Sequence, residues 1–123
     1  MAYIHDDVLD GALAILSSLT ENLYITSQQA ATYAEAQTTY KLGTKASPGF
    51  TGPANGDATG RKVTIDAITD GTVDSTGTAS HWALCDNSDS KLLAAGPLDT
   101  PQGVTQTNTF TLTAFDIEFP DPA

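Results

Sequence analysis

The stretch Thr107-Asn-Thr-Phe-Thr-Leu-Thr-Ala-Phe-Asp-Ile-Glu-Phe-Pro120 alternates apolar and polar residues as a strand does, yet its apolar positions change parity partway along. Phe110, Leu112 and Ala114 are even; Phe115, Ile117 and Phe119 are odd. Side chains alternate faces with a period of two, so a straight strand cannot keep both sets on one side. One extra residue at Ala114-Phe115 lets the strand go on facing the core, or passes it from one sheet of a sandwich to the other. Pro120 and Pro122 end the run.

The rest of the chain fits strands of the same kind. Residues 80–87, SHWALCDN, and 91–98, KLLAAGPL, form a hairpin that turns through 87–90, NSDS. His81, Ala83 and Cys85 share one face and Trp82 and Leu84 the other, so both faces are apolar and the strand belongs in the middle of a sheet. In Glu21–Ser27, Leu23 and Ile25 lie on one side and Asn22, Tyr24 and Thr26 on the other, a half-buried strand. Residues 32–43 read as a short helical turn around Tyr33–Ala36 and an extended stretch ending at Gly43. Between these, parity predicts a hairpin with a three-residue loop, Thr69-Asp70-Gly71, in which Gly71 takes positive φ and Ile68 pairs with Thr72. Asp74, Thr76 and Thr78 then form an exposed row.

Two segments stand apart. Val8, Leu9, Ala12, Leu13, Ile15, Leu16 and Leu19 recur at helical spacing on one broad stripe, which predicts an N-terminal helix within residues 1–20. Asp6 or Asp7 can cap it and both complement its dipole. Whether it packs on the body or extends as an arm is open. Residues 47–60, SPGFTGPANGDATG, keep neither helix nor strand period and predict a long exposed loop with Phe50 at its centre. The expectation is a single domain over 1–123: mainly β, an antiparallel β-sandwich of about seven strands over residues 21–123, with one N-terminal α-helix.

Composition narrows the function. Nineteen threonines, and twelve aspartates against three glutamates, suit strands and turns. The formal charge is −10, with five basic residues and no basic cluster beyond Arg61-Lys62. A nucleic-acid partner, which needs a basic stripe, is therefore not expected, and anionic membranes would be repelled. Cys85 is the single cysteine, so no intrachain disulfide can form. Asp6, Asp7 and Asp10 interrupt what would be a signal-peptide core, and assembly in a cytoplasm is the expectation.

No catalytic motif is legible. His81 and Cys85, four residues apart on a strand, lie about 13 Å apart and cannot share a proton or a metal. His5 with Asp6 and Asp7 could approach a divalent ion, but neighbours at a helix start do not converge on one point, so capping is preferred. Residues 86–99 lack the sixth-position glycine and twelfth-position glutamate of a calcium loop. The expectation is no enzyme activity, no cofactor and no bound metal, with substitution of Cys85 or His81 acting through folding alone.

The order H-W-A-L at 81–84, L-L-A-x-G at 92–96 and T-F-T-L-T-A-F-D at 109–116 resembles small virion structural proteins of tailed bacteriophages, best over residues 61–119. The resemblance implies a β-sandwich component of the particle, on the capsid or in the tail, baseplate or fibre. The specific expectation is a capsid decoration, or cement, protein on the outer surface of the virion head. Its partners would be the major capsid protein and further copies of itself, as a homo-oligomer and specifically a trimer. Candidate contact residues are Tyr3, Ile4, His5 and Phe50. A carbohydrate-binding or adhesin-like sandwich is an alternative, with Tyr24, Tyr33, Tyr40 and Phe50 as available aromatics; a small hydrolase is a third.

Overall fold

The computed structural model describes residues 4–57 and 59–120. Its elements run α1 (Asp6–Leu19), β1 (Asn22–Thr26), a π-helical turn (Glu35–Thr39), β2 (Lys41–Ala46), β3 (Phe50–Asn55) and β4 (Arg61–Ile65). They continue with β5 (Ile68–Val73), β6 (Gly77–Asp86), β7 (Lys91–Val104), β8 (Thr109–Leu112) and β9 (Phe115–Phe119). The protein is mainly β, with two antiparallel sheets and one N-terminal helix, the class expected of a β-sandwich. Nine strands form among the described residues where about seven were expected. One addition is β3, and the other comes from division of the last strand.

That division follows the parity break. β8 pairs with β5 in a six-stranded sheet ordered β7-β6-β1-β2-β5-β8, whereas β9 pairs with β4 in a three-stranded sheet ordered β3-β4-β9. Thr113 and Ala114 belong to neither strand. Each run therefore keeps a strict alternation within its own sheet.

The chain forms two compact units, each built from separate stretches. The first comprises Met1–Ser18, Gly49–Ala67 and Thr113–Ala123, and so holds α1 and the three-stranded sheet. Its buried side chains include Leu9, Leu13, Leu16, Val63 and Ile65. Across β4 and β9, Thr64 stands opposite Asp116 and Lys62 opposite Glu118. Thr64 Oγ1 donates to Asp116 at 2.7 Å, giving the sheet a polar face of matched cross-strand pairs. Arg61 joins α1 to this sheet: its Nε and Nη2 reach the two Asp10 carboxylate oxygens at 2.7 and 3.2 Å, while Nη1 donates to Asn55 Oδ1 at 2.7 Å. A planar guanidinium matches a carboxylate bidentately, so this contact orients the helix as well as anchoring it.

The second unit, Leu19–Pro48 with Ile68–Leu112, holds the six-stranded sheet. β6 is central and turns into β7 through Asn87–Ser90, as expected, with Ser90 at φ 54° and the Asp89 N–H donating to Asp86 Oδ1 at 3.3 Å. Both faces of β1 are buried: Tyr24 and Thr26 are covered as well as Leu23 and Ile25, in contrast to the half-buried strand expected. The Thr26 hydroxyl tolerates this because it donates to the Gln28 carbonyl at 2.7 Å. The helical turn after Tyr33 and the strand behind it are present, the strand running on to Ala46.

The hairpin expected at 69–71 is not formed. β4 and β5 lie in different sheets, and the chain passes between them at Asp66 and Ala67. Asp66 is held there by its N–H on the Gly49 carbonyl at 2.9 Å and by Thr51 Oγ1 on its carboxylate at 2.6 Å. Asp70 and Gly71 sit inside β5, and Gly71 is not among the positive-φ glycines. Its absent side chain serves packing instead. Gly71 pairs with Phe110, and a Cβ built on it would lie 2.3 Å from two ring atoms. Asp74 is half-buried, accepting from Thr44 Oγ1 at 2.8 Å and lying 3.7 Å from Lys41 Nζ; Thr76 and Thr78 are exposed as expected.

Residues 47–60 are not structureless either. Phe50–Asn55 pair with β4, although Thr51–Asn55 are all exposed. A strand with no buried row has no apolar period to read, and its backbone ladder alone defines it.

Candidate interaction surface

The broad apolar stripe of α1 does two jobs. At 100° per residue the stripe runs from Ile15 through Val8 and Leu19 to Leu13 over an arc of about 160°, wider than the roughly 100° one packed face needs. Leu9, Leu13 and Leu16 are buried, whereas Val8 is 62% and Ile15 58% exposed, with Leu19 at 38%. On the helical wheel Val8, Gly11, Ala12, Ile15 and Leu19 form an outer band, with Ile4 just before the helix also exposed. The Arg61–Asp10 fork fixes which side faces outward. Two apolar faces on one helix, one of them in water, make this band the candidate contact surface of the described residues.

The contact residues expected from sequence meet this surface in part. Ile4 borders the outer band. Tyr3 lies outside the described residues. His5 has a structural duty: its Nδ1 accepts the Asp7 N–H at 3.0 Å and its carbonyl accepts the Val8 N–H at 2.9 Å. It is therefore His5 that caps α1, with Asp6 and Asp7 in the first turn at the positive end of the dipole. Phe50 is half-buried at the start of β3 opposite Ile65, not at the tip of a loop. Helical spacing alone groups Val8, Ile15 and Leu19 with Leu9, Leu13 and Leu16 as one core face; the excess width of the arc is the signal that separates them.

Three groupings of reactive side chains resolve into structural roles. Asp57, Asp116 and Glu118 bring carboxylate oxygens within 4.8 Å of one another, near enough for a cation. The cation beside them is Lys62, whose Nζ lies 2.7 Å from Asp57 and 3.0 Å from Asp116, which pushes its pKa up. Glu118 instead accepts the Asp57 N–H at 2.8 Å, and hydrogen bonds from Thr64 and Lys62 lower the Asp116 pKa. Second, Cys85 is fully buried, and burial pushes its thiol up to about 11. His81 Nδ1 lies 2.7 Å from Ser80 Oγ. A protonated, inaccessible thiol is no nucleophile.

The third grouping is at the β6–β7 turn. Glu21 accepts the Ser88 N–H at 2.7 Å, which lowers its pKa, and shares a hydrogen bond with the Asp86 side chain. Asp86 is 4% exposed, and this bond together with burial raises its pKa. Two carboxyls side by side are a catalytic arrangement in some enzymes. Here Asp86 Oδ1 also accepts the Asp89 N–H, so the pair ties the turn to β1. Nearby, Asn87 Nδ2 donates to Tyr24 Oη at 2.7 Å.

The aromatics named for a sugar-binding face are not arrayed on the surface. Tyr24 is buried, with Tyr33 packed against its cluster, and Tyr40 and Phe50 are half-buried. Four of the five basic side chains, Lys41, Lys45, Arg61 and Lys62, lie in ion pairs with aspartates. The surface left to partners is accordingly acidic, with the apolar band of α1 set in it. No family model, no curated protein and no solved structure matches the chain.

Proposed function

We propose that this protein is a non-catalytic structural component that works through surface contacts, and specifically a decoration protein on the capsid of a tailed bacteriophage. The observation that carries the first part is the outer apolar band of α1, displayed on a helix whose inner face is already buried. An acidic β protein suits high copy number at high local concentration, since like charges keep copies soluble. The resemblance over residues 61–119 favours a virion. The runs that carry it fall on β6, β7, β8 and the start of β9 and include the core residues Trp82, Leu84, Phe110 and Leu112, so they bear on the framework and leave the site to α1. Many weak contacts repeated over a closed shell add through multivalency, which suits an apolar band of modest size.

The major capsid protein and further copies of the chain are the proposed partners. Tail, baseplate or fibre membership is the second reading, favoured by the same resemblance. The sugar-binding reading loses ground because Tyr24 and Tyr33 are committed to packing. Counting copies in purified particles by quantitative mass spectrometry tests the proposal. Hundreds of copies on the head support decoration. A small multiple of three or six confined to the tail favours the second reading, and absence from particles overturns both.

A further inference from the structure

We propose that Asn55 is a site of spontaneous covalent modification: it deamidates through a cyclic imide formed with the Gly56 nitrogen, and the carboxylate it becomes pairs with Arg61. The inference rests on the turn between β3 and β4 and does not depend on a place in a virion.

The chain has four asparagines, Asn22, Asn55, Asn87 and Asn108, followed by leucine, glycine, serine and threonine. Ring closure brings the nitrogen of the next residue onto the side-chain amide carbon, so a following side chain obstructs it and a following glycine does not. The surroundings divide the four in the same way. Asn55 is exposed at the end of β3, and among the described residues nothing accepts a hydrogen bond from its Nδ2, the nitrogen that has to leave. Asn87 is half-buried, its Nδ2 donates to Tyr24 Oη at 2.7 Å, and the Ser88 N–H that would attack it is held by Glu21 at 2.7 Å. Asn22 precedes the fully buried Leu23, and Asn108 precedes the β-branched Thr109, which is paired with Thr72.

Arg61 prepares the electrophile. Its Nη1 donates to Asn55 Oδ1 at 2.7 Å while Nε and Nη2 are held by the Asp10 carboxylate. The guanidinium is thus fixed where negative charge develops as the carbonyl is attacked. The Gly56 N–H opposes the reaction, because it donates to the Gly60 carbonyl at 2.9 Å and has to be released first. Opening one peptide hydrogen bond at an exposed turn slows the step by about tenfold at most.

Water is the sole co-reactant. The Gly56 nitrogen gives its proton to solvent hydroxide, and its electron pair forms a bond to Asn55 Cγ. The Cγ–Nδ2 bond breaks, and Nδ2 takes a proton from water and leaves as ammonia. Water then opens the imide. Attack at Cγ restores the ordinary peptide bond and leaves an aspartate at position 55, whereas attack at the main-chain carbonyl routes the backbone through Cγ as an isoaspartate. The aspartate keeps the pairing of position 55 with Arg61 across β3 and β4 and turns a neutral contact into a charge-assisted one. The isoaspartate lengthens the main chain at the last pair before the turn and frees the end of β3. Either product adds one negative charge, taking the formal −10 to −11.

Incubating the full chain in mildly alkaline buffer, beside the same chain in guanidinium chloride, tests this. Anion exchange separates the more acidic species, with an Asn55→Asp variant as the marker for the aspartate product, and peptide mapping by mass spectrometry assigns the site. Conversion should occur at Asn55 ahead of the other three asparagines, and in the folded protein at a rate within about tenfold of the denatured one. Arg61→Lys should slow the folded reaction by about threefold or more and leave the denatured rate unchanged. Asp10→Asn, which removes the tie to α1 but leaves Arg61 on Asn55, should slow it less. Circular dichroism checks that each variant keeps the fold, and the wild-type comparison stands whether or not a variant folds. A folded rate more than tenfold below the denatured one, earlier conversion of Asn87 or Asn108, or a folded Arg61→Lys variant as fast as the wild type overturns the proposal.

Discussion

Replacing Gly71 with alanine sets two general expectations against each other. Inside a strand glycine is ordinarily the weaker residue, and alanine would be favoured by about 0.5–1 kcal/mol through the backbone entropy of the unfolded chain. At Gly71 the new Cβ would lie 2.3 Å from Cε1 and Cζ and 2.6 Å from Cδ1 of Phe110. Ordinary carbon contacts sit at about 3.5–4.0 Å, so more than 1 Å of overlap has to be relieved. The ring has little room to yield, because Phe110 is 2% exposed and also lies against Gly43 of β2, whose own added Cβ would be 3.0 Å from Cδ1. Overpacking of this kind costs about 1–3 kcal/mol. After the entropy gain, the expected net loss is about 1 kcal/mol, or a fall in Tm of about 4 °C for a chain of this size. Thermal and urea unfolding of Gly71→Ala, Phe110→Leu and the double variant measure it. The smaller side chain vacates the space the Cβ needs, so the double variant should lie about 1 kcal/mol above the sum of the two single losses. A Gly71→Ala protein as stable as the wild type, or strictly additive variants, would refute the packing argument.

Two further outcomes are expected. Cys85 should resist Ellman's reagent in the folded protein and react at once in urea, since a thiol raised from 9.0 to about 11 carries about a hundredfold less thiolate even before burial restricts access; comparable rates in the two states would contradict this. Asp86→Asn should stabilise the protein more at pH 7 than near pH 4. The raised Asp86 pKa contributes stability below its ordinary 3.8 that is lost as pH rises through the folded value, whereas the lowered Glu21 pKa contributes above 4.5 and fades as pH falls. The amide stays neutral throughout and can still donate to Glu21, so a gain that does not vary with pH in urea titrations counts against the coupling of the two carboxyls.

How far the sequence could be read depended on whether an element showed one covered face. The switch at Thr113-Ala114 was legible because alternating apolar residues encode it directly, and the β6–β7 hairpin because a run apolar on both faces stops at the polar turn Asn87–Ser90. β3 was not, because a strand with exposed side chains throughout leaves no period. Asp70-Gly71 misled for another reason. The dipeptide is a strong local turn signal, and only the distant Phe110 explains why the glycine lies within a strand. The outer band of α1 lay in plain view as an arc too wide for one interface, but which half is covered depends on Arg61 and Asp10, fifty-one residues apart. The pairing of the Glu21 and Asp86 carboxyls is similarly invisible in one dimension.

The passage from β8 to β9 also bears on the order in which the protein can assemble itself. α1 and the β3–β4 hairpin leave a ribosome early, yet β4 is flanked on both sides only once Phe115–Phe119 arrive. Until then Arg61–Ile65 presents an open row of backbone donors and acceptors to any neighbouring strand. The six-stranded sheet needs nothing beyond Leu112 and can close first. A nascent or clipped chain ending at Thr113 would thus carry the six-stranded sheet whole and β4 as an uncovered edge, and the last segment acts as the strap that moves this edge from the apolar β4 to the more acidic β9.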